Sequence, residues 1–146
     1  MTQKHESRKK GCHAAAVLSN VRAGECFWKM RLRFSGEAGG AFARFRPGQF
    51  IEFDTSDLAI PATESIPNAL RDGARRSVLL RRPFSFSDVT VQGDVTLADL
   101  LYCVVGPASL RMTTLRAGDV ASLIGPLGNG FTVPAGKIGR ASCRER

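Results

Sequence analysis

Apolar and polar side chains alternate along residues 26–34, and this is the clearest pattern in the chain. One face carries Trp28, Met30, Leu32 and Phe34, and the other carries Phe27, Lys29, Arg31 and Arg33. A period of two is typical of a half-buried strand with one face toward a core. Weaker runs of the same kind predict five further strands at residues 13–21, 49–53, 77–87, 95–105 and 120–124.

The segments between these runs predict turns and a single helix. Gly36, Gly39 and Gly40 break the chain after the second strand, and residues 88–94 have the composition of a turn. Residues 108–115 have the apolar spacing of a short helix. We therefore predict an all-β fold, a six-stranded antiparallel Greek-key barrel with one short helix after the fifth strand. Closure of such a barrel would remove exposed strand edges.

Residues 54–76 have weak periodicity and contain two prolines. They predict a long loop with one helical turn near residues 68–71. A loop of this length is unusual in a compact domain, which favours either a functional lid or a lineage-specific insertion.

Charge distribution weakens the case for a polyanionic partner. The 146-residue chain has a formal net charge of +8, but residues 1–10 and 137–146 each carry four basic residues and one acidic residue. The body between these ends therefore carries only +2. Basic tails are more often solvated than functional, so nucleic-acid binding is not favoured.

Four cysteines, Cys12, Cys26, Cys103 and Cys143, are spread along the chain with no two within three residues. This spacing excludes a zinc knuckle or a redox Cys-x-x-Cys motif, and it predicts no metal site. We interpret the cysteines mainly as reduced packing groups. There is no apolar run of membrane-spanning length and no signal peptide, so we expect a cytoplasmic protein without membrane attachment.

The first segment with chemical content reads Arg81-Arg82-Pro83-Phe84-Ser85. A fixed guanidinium can bind a pyrophosphate through two hydrogen bonds, and a neighbouring phenyl ring can pack against a flat heterocycle. Pro83 keeps the backbone extended and favours a sheet edge or an opening in the ladder. By itself, the segment fits better a strand end with a solvated arginine pair and a core Phe, because arginine pairs are common on protein surfaces.

Two glycine-containing turns follow later in the chain. Residues 104–109 read Val-Val-Gly-Pro-Ala-Ser, and residues 125–131 read Gly-Pro-Leu-Gly-Asn-Gly-Phe. The first could hold an anion at the start of a helix, or it could be an ordinary turn from strand to helix. The second could be a flexible linker, but its proline, leucine and phenylalanine favour a shaped loop.

Taken together and in this order, the three segments resemble the FAD domain of the ferredoxin-NADP reductase superfamily, with its Arg-x-(Tyr/Phe)-Ser motif. Within it, they are most similar to the electron-transfer subunits of class B dihydroorotate dehydrogenases. The resemblance covers about residues 13–135.

The resemblance implies that Arg82 contacts the FAD pyrophosphate, that Phe84 lies beside the flavin or its ribityl chain, and that Ser85 bonds near the flavin. It also implies cofactor-binding positions at Pro83, Gly106, Ser109, Gly128, Asn129 and Gly130. The family's phosphate turn usually reads Gly-x-Gly-Thr, whereas Ala108 and Ser109 stand at its last two positions here. No side chain is expected to act as a general acid or base.

The resemblance also implies a division of the chain and a partner. Residues 1–11 form a polar tail, residues 12–135 an FAD-binding barrel domain, and residues 136–146 a tail that could be foreign. NAD and a two-iron two-sulfur cluster would belong only to the full-length parent. The implied activity passes electrons from NADH through FAD to the catalytic subunit of dihydroorotate dehydrogenase in pyrimidine biosynthesis. We expect the truncated chain alone not to be competent.

Two alternatives stay open at this point. One is a non-redox β-barrel module that binds a flavin-like ligand or nucleic acid. The other is a fragment that cannot hold its cofactor.

Overall fold

The computed structural model describes residues 11–77 and 80–132. Within these ranges, seven antiparallel strands form one sheet in the order β4-β3-β7-β1-β2-β6-β5. The strands are β1 (Cys12–Arg22), β2 (Phe27–Ser35), β3 (Phe50–Phe53), β4 (Arg82–Phe84), β5 (Asp88–Gln92), β6 (Val95–Cys103) and β7 (Val120–Leu127). The helices are α1 (Gly36–Phe42), α2 (Arg71–Ala74) and α3 (Pro107–Met112).

The alternating pattern of the second strand is confirmed. Met30, Leu32 and Phe34 are fully buried, whereas Lys29, Arg31 and Arg33 face outward. This strand lies between β1 and β6 and pairs with β6 along its whole length. Its buried side chains join apolar residues from the other central strands in one core, which also includes Phe42 of α1 and Met112 of α3.

A mostly β, antiparallel architecture is confirmed, but the described ranges contain seven strands rather than six, in a curled half-barrel whose edge strands β4 and β5 do not pair. The additional strand is β5, which occupies residues that we expected to form a turn. It pairs with β6 as a two-residue hairpin, in which Gly93 has a φ of 59°. Positive φ at the first turn position suits a hairpin whose twist matches its strands. The Greek-key arrangement stays a prediction.

The prediction of a single helix is also wrong. The short helix predicted within residues 108–115 is present as α3, which follows β6, but α1 and α2 were not predicted as helices. The glycine-rich segment after β2 forms α1 rather than a break. Glycine is needed there because a Cβ on Gly39 would lie 2.7 Å from the carbonyl oxygen of Asp94. The Thr96 hydroxyl donates to the Gly39 carbonyl at 2.8 Å, so the helix packs directly on the hairpin.

The sheet is strongly curled because its two edge strands are consecutive in sequence. β4 and β5 lie at opposite edges, and only residues 85–87 connect them. Three residues span about 10 Å when extended, so the two edges must approach each other. Phe86 lies in this connection, and its ring packs 6.0 Å from that of Phe34 and 5.0 Å from that of Phe45. The curl therefore wraps the sheet around the core.

Residues 54–76 are an ordered segment with three short helical turns: two 3-10 turns at Thr63–Ser65 and Asn68–Leu70, and then α2. The turn expected near residues 68–71 is therefore confirmed. Arg111 of α3, which is 8% exposed, forms hydrogen bonds with this segment. Its guanidinium donates to the carbonyls of Leu58 at 3.1 Å, Arg76 at 2.8 Å and Ala74 at 3.5 Å.

None of the helices in the described ranges has the length and apolar character that crossing a bilayer requires.

Candidate functional site

The edge strand β4 and the turn between β6 and α3 enclose a cleft of about 450 Å³. The two segments are more than twenty positions apart in sequence, and the curl of the sheet brings them together. The cleft is lined by Arg82, Pro83, Phe84, Cys103, Val105, Gly106, Pro107, Ala108 and Ser109. Five of the nine residues expected to bind the cofactor thus share one cleft.

The two neighbouring arginines differ in their surroundings. The Arg81 guanidinium donates to the Asp54 carboxylate at 2.7 Å. Burial alone would raise the pKa of Asp54, but hydrogen bonds from Ser56 and the charge of Arg81 outweigh burial and lower the pKa. Arg82 is exposed at the cleft, and its side chain forms no hydrogen bond or ion pair with any residue in the described ranges. Of the two cations, Arg82 is therefore the one available to an anion.

Phe84 forms a half-buried wall between the cleft and the core. Its ring meets those of Phe53 and Tyr102 edge to face, with centroids 6.3 Å and 6.4 Å away. The Tyr102 hydroxyl donates to the Asn20 side-chain oxygen at 3.0 Å, and burial raises the pKa of Tyr102. The Asn20 amide in turn donates to the Met112 carbonyl at 2.8 Å. This chain of contacts links the aromatic wall to α3.

The turn into α3 is shaped by the buried hydroxyl of Ser109. This hydroxyl accepts the backbone N–H groups of Val105 and Gly106 at 3.1 Å and 3.2 Å. It therefore organises the turn from inside. Gly106 has an extended φ of −167°, and a Cβ there would meet open space, so this position does not require glycine for its backbone.

Ser85 and the glycine-rich segment at residues 125–131, here called the exit loop, lie on a different part of the sheet. The Ser85 hydroxyl donates to the backbone carbonyl of Gln49 at 3.1 Å, and the Gln49 side chain donates to the Gly128 carbonyl at 3.2 Å. A Cβ on Gly128 would lie 3.0 Å from the Phe50 ring, and one on Gly130 would lie 2.7 Å from the Arg46 side chain.

The glycines of the exit loop thus permit close packing on the segment before β3. Asn129 is exposed between them. The structure does not bring Ser85, Gly128, Asn129 or Gly130 into the lining of the cleft.

Two residues with structural roles at the site were missed in the sequence. Cys103 lines the cleft at the last position of β6, and Gln49 joins Ser85 to the exit loop. The place of Cys103 directly before the predicted turn was a usable signal, whereas nothing local indicated the contacts of Gln49.

The donor set of the cleft fits part of an FAD molecule. A guanidinium with no side-chain partner among the described residues suits a pyrophosphate, and an aromatic ring beside small residues suits a flat or sugar-like group. In the described ranges, no three His, Cys, Asp or Glu side chains cluster as metal ligands would.

Comparison with curated proteins finds electron transfer subunits of dihydroorotate dehydrogenase B (NAD(+)). The electron transfer subunit of dihydroorotate dehydrogenase B (NAD(+)) from Desulforamulus reducens is 36% identical over 85 residues, which cover 58% of this chain and 32% of the relative. The subunit of the same name from Caldanaerobacter subterraneus subsp. tengcongensis is 27% identical over 123 residues, covering 84% of this chain and 38% of the relative. The resemblance indicated by the sequence motifs is confirmed.

The chain spans about a third of the length of these curated relatives. No family model matches it.

Two solved structures share the fold. An NADH-dependent reduced ferredoxin-NADP oxidoreductase superposes with a TM-score of 0.56 at 19% identity, covering 81% of this chain and 34% of that one. A siderophore-interacting protein from Acinetobacter baumannii superposes with a TM-score of 0.55 at 12% identity, covering 87% of this chain and 44% of that one. At these identities the likeness establishes the fold alone.

Proposed function

We propose that this chain is the FAD-binding part of an electron-transfer oxidoreductase subunit. The observation that carries the proposal is the cleft in which Arg82 and Phe84 face the turn at residues 105–109. The curated relatives are named as electron transfer subunits of dihydroorotate dehydrogenase B (NAD(+)). On this support we extend the proposal to a role between NADH and a dihydroorotate dehydrogenase catalytic subunit, in pyrimidine biosynthesis. That catalytic subunit is the proposed partner, and the cytoplasm is the proposed location.

In this proposal, each side of the cleft holds one portion of the cofactor. Arg82 binds the pyrophosphate, because its guanidinium is exposed there and Arg81 is already paired with Asp54. Phe84 and Pro83 supply the apolar wall for the flavin or its ribityl chain. Bound FAD would supply the redox chemistry, while the chain binds and orients it.

The remaining predicted positions have a less direct part. Ser109 holds the shape of the turn that faces the pyrophosphate, and Gly106 leaves room beside it. Ser85, Gly128, Asn129 and Gly130 lie at the Gln49 side of β3, from which they would contact the cofactor only where it extends beyond the cleft. The proposed domain covers residues 12–135. NAD and a two-iron two-sulfur cluster are proposed for the longer parent protein.

The test is a titration with FAD, followed by flavin fluorescence, of the Arg82→Ala and Arg81→Ala variants. Removing one charge-assisted contact to the pyrophosphate costs about 1.5–3 kcal/mol, so Arg82→Ala should weaken FAD binding roughly ten- to a hundredfold. Arg81→Ala is the matched control, and it should change the affinity by less than about threefold, because Arg81 contacts Asp54.

Stronger weakening by Arg81→Ala would show that the wrong arginine was assigned. Failure of the unmodified chain to bind FAD, together with normal folding by circular dichroism, would contradict the proposed function itself.

A further inference from the structure

Cys26 and Cys103 lie side by side although they are 77 positions apart in sequence. Their sulfur atoms are 3.2 Å apart, and the Cys103 thiol donates to that of Cys26. The bond between two sulfurs in a disulfide is ~2.05 Å long. Bonding would therefore require the two atoms to approach by only about 1.2 Å, which side-chain rotation can provide.

The backbone on both sides of the pair is held in register. Phe27 pairs with Cys103 in the ladder between β2 and β6, and the Val104 N–H donates to the Cys26 carbonyl at 2.8 Å. The turn before β2 is fixed as well, since the Ala23 N–H donates to the Phe27 carbonyl at 2.8 Å. The proximity of the thiols thus follows from the strand pairing rather than from a mobile loop.

The two thiols stand between two clefts. Cys103 lines the 450 Å³ cleft described above. Cys26 lines a neighbouring cleft of about 670 Å³, together with Trp28, residues of the 54–76 segment and the end of α3. Both cysteines are half-buried, so a small oxidant can reach the pair from either side. The hydrogen bond to Cys26, followed by burial, raises the pKa of Cys103.

We propose that Cys26 and Cys103 are a modification site, at which a peroxide converts the dithiol into an intramolecular disulfide. One thiolate attacks a peroxide oxygen, the O–O bond breaks, and a sulfenic acid and hydroxide form. The second thiol then displaces the sulfenic hydroxyl, and the S–S bond forms. In sum, the two thiols lose two electrons and two protons, and hydrogen peroxide is reduced to two water molecules.

The disulfide ties the turn before β2 to the end of β6, where the turn into α3 begins. This inference goes beyond the proposed function, since it concerns thiol chemistry and requires no flavin.

The experiment uses the full chain without added flavin, treated with hydrogen peroxide at a few equivalents. Thiols are counted with Ellman's reagent after denaturation, and the intact mass is measured. We expect four free thiols before treatment and two afterwards, a mass lower by about 2 Da, and a tryptic product linking Cys26 to Cys103. The oxidised form should melt roughly 5–15 °C higher, because the link constrains the unfolded chain.

Matched variants identify the pair. The double variant Cys12→Ser/Cys143→Ser should still lose two thiols, whereas Cys26→Ser and Cys103→Ser should not form this disulfide. If either serine variant fails to fold, the linked peptide from the unmodified chain decides the question. Four intact thiols after treatment, a disulfide to Cys12 or Cys143, or only higher oxidation of single cysteines would overturn the proposal.

Discussion

At the scale of single residues, Asp99 of β6 binds basic side chains on the outward face of β2. The outward face of β2 carries one lysine and two arginines. In the structure, Arg31 binds the Asp99 carboxylate through two hydrogen bonds, at 2.7 Å and 2.8 Å, and Lys29 contacts it at 2.9 Å. The hydrogen bonds from Arg31 are the main reason that the pKa of Asp99 falls from its ordinary 3.8 to about 2, against the opposing effect of burial.

This pairing predicts a stability change in acid. The pKa of Asp99 is lower in the folded chain than in the unfolded chain. The ionised Asp99 therefore contributes its full stabilisation of the fold at any pH above the pKa that Asp99 has in the unfolded chain. This stabilisation is lost as the pH falls from about 4 to about 2. Asp99→Asn should therefore lower the free energy of unfolding by about 1–2 kcal/mol near neutral pH, and the difference should vanish near pH 2.

Urea unfolding at a series of pH values measures this difference. Asp57→Asn is the control, since Asp57 is exposed and its carboxylate forms no hydrogen bond or ion pair in the described ranges. A constant difference between Asp99→Asn and the unmodified chain across the pH range would refute the assigned ion pair.

At the scale of elements, α3 positions a segment that has little regular structure of its own. Three backbone carbonyls between residues 58 and 76 accept hydrogen bonds from the buried Arg111 guanidinium, which pairs with no carboxylate among the described residues. Peptide carbonyls that bind a buried cation replace the water it has lost, so the helix and the segment stabilise each other.

Replacing Arg111 by methionine keeps much of the apolar volume but removes these donors. We expect Arg111→Met to lower the free energy of unfolding by about 2–4 kcal/mol, because carbonyls lose their partners in a buried site. Cleavage of residues 54–76 by trypsin or chymotrypsin should also become faster under native conditions. Chemical denaturation and timed proteolysis measure the two effects.

Arg116→Met is the matched control, because Arg116 is exposed and bonds carbonyls of its own turn. It should change stability by less than about 1 kcal/mol. Equal losses in the two variants would show that Arg111 does not hold the segment.

At the scale of the whole molecule, the described residues build a single curled sheet with its helices around one main core. Hydride transfer requires a nicotinamide held about 3–3.5 Å from the flavin in a suitable orientation. All strand pairs in the described ranges are antiparallel, so these ranges contain no parallel strand-helix-strand unit that would hold a nicotinamide dinucleotide in this way. In the proposed function, the turn from β6 into α3 is assigned to FAD.

We therefore expect the 146-residue chain, once loaded with FAD, to be reduced by dithionite but not rapidly by NADH. Without positioning of the nicotinamide, several kcal/mol of transition-state stabilisation are missing. Anaerobic stopped-flow mixing with NADH, monitored at the oxidised flavin band and compared with free FAD, measures the rate. Fast, saturable bleaching would contradict this expectation and reveal a nicotinamide site within the chain.

The sequence by itself determined the elements whose signals are local. The alternation in β2 predicted which side chains are buried, and Pro83 correctly indicated a sheet edge. The family resemblance carried by residues 82–85 and 104–109, taken together, pointed to both segments that line the cleft. β5 was missed although its five residues, Asp-Val-Thr-Val-Gln, do alternate. The run is short and ends at Gly93-Asp94, so it was interpreted as part of a turn. It is an edge strand, and only Val89 along it is shielded from solvent.

The tertiary structure alone decided which distant residues meet. Arg31 reaches Asp99 across 68 positions, Arg111 reaches Leu58 across 53, and Cys26 reaches Cys103 across 77. Each of these contacts depends on strand register and on the curl of the sheet, which arise from the packing of the whole core. For the same reason, Ser109 could be recognised as part of the turn, but its role inside the turn became visible only in the folded chain.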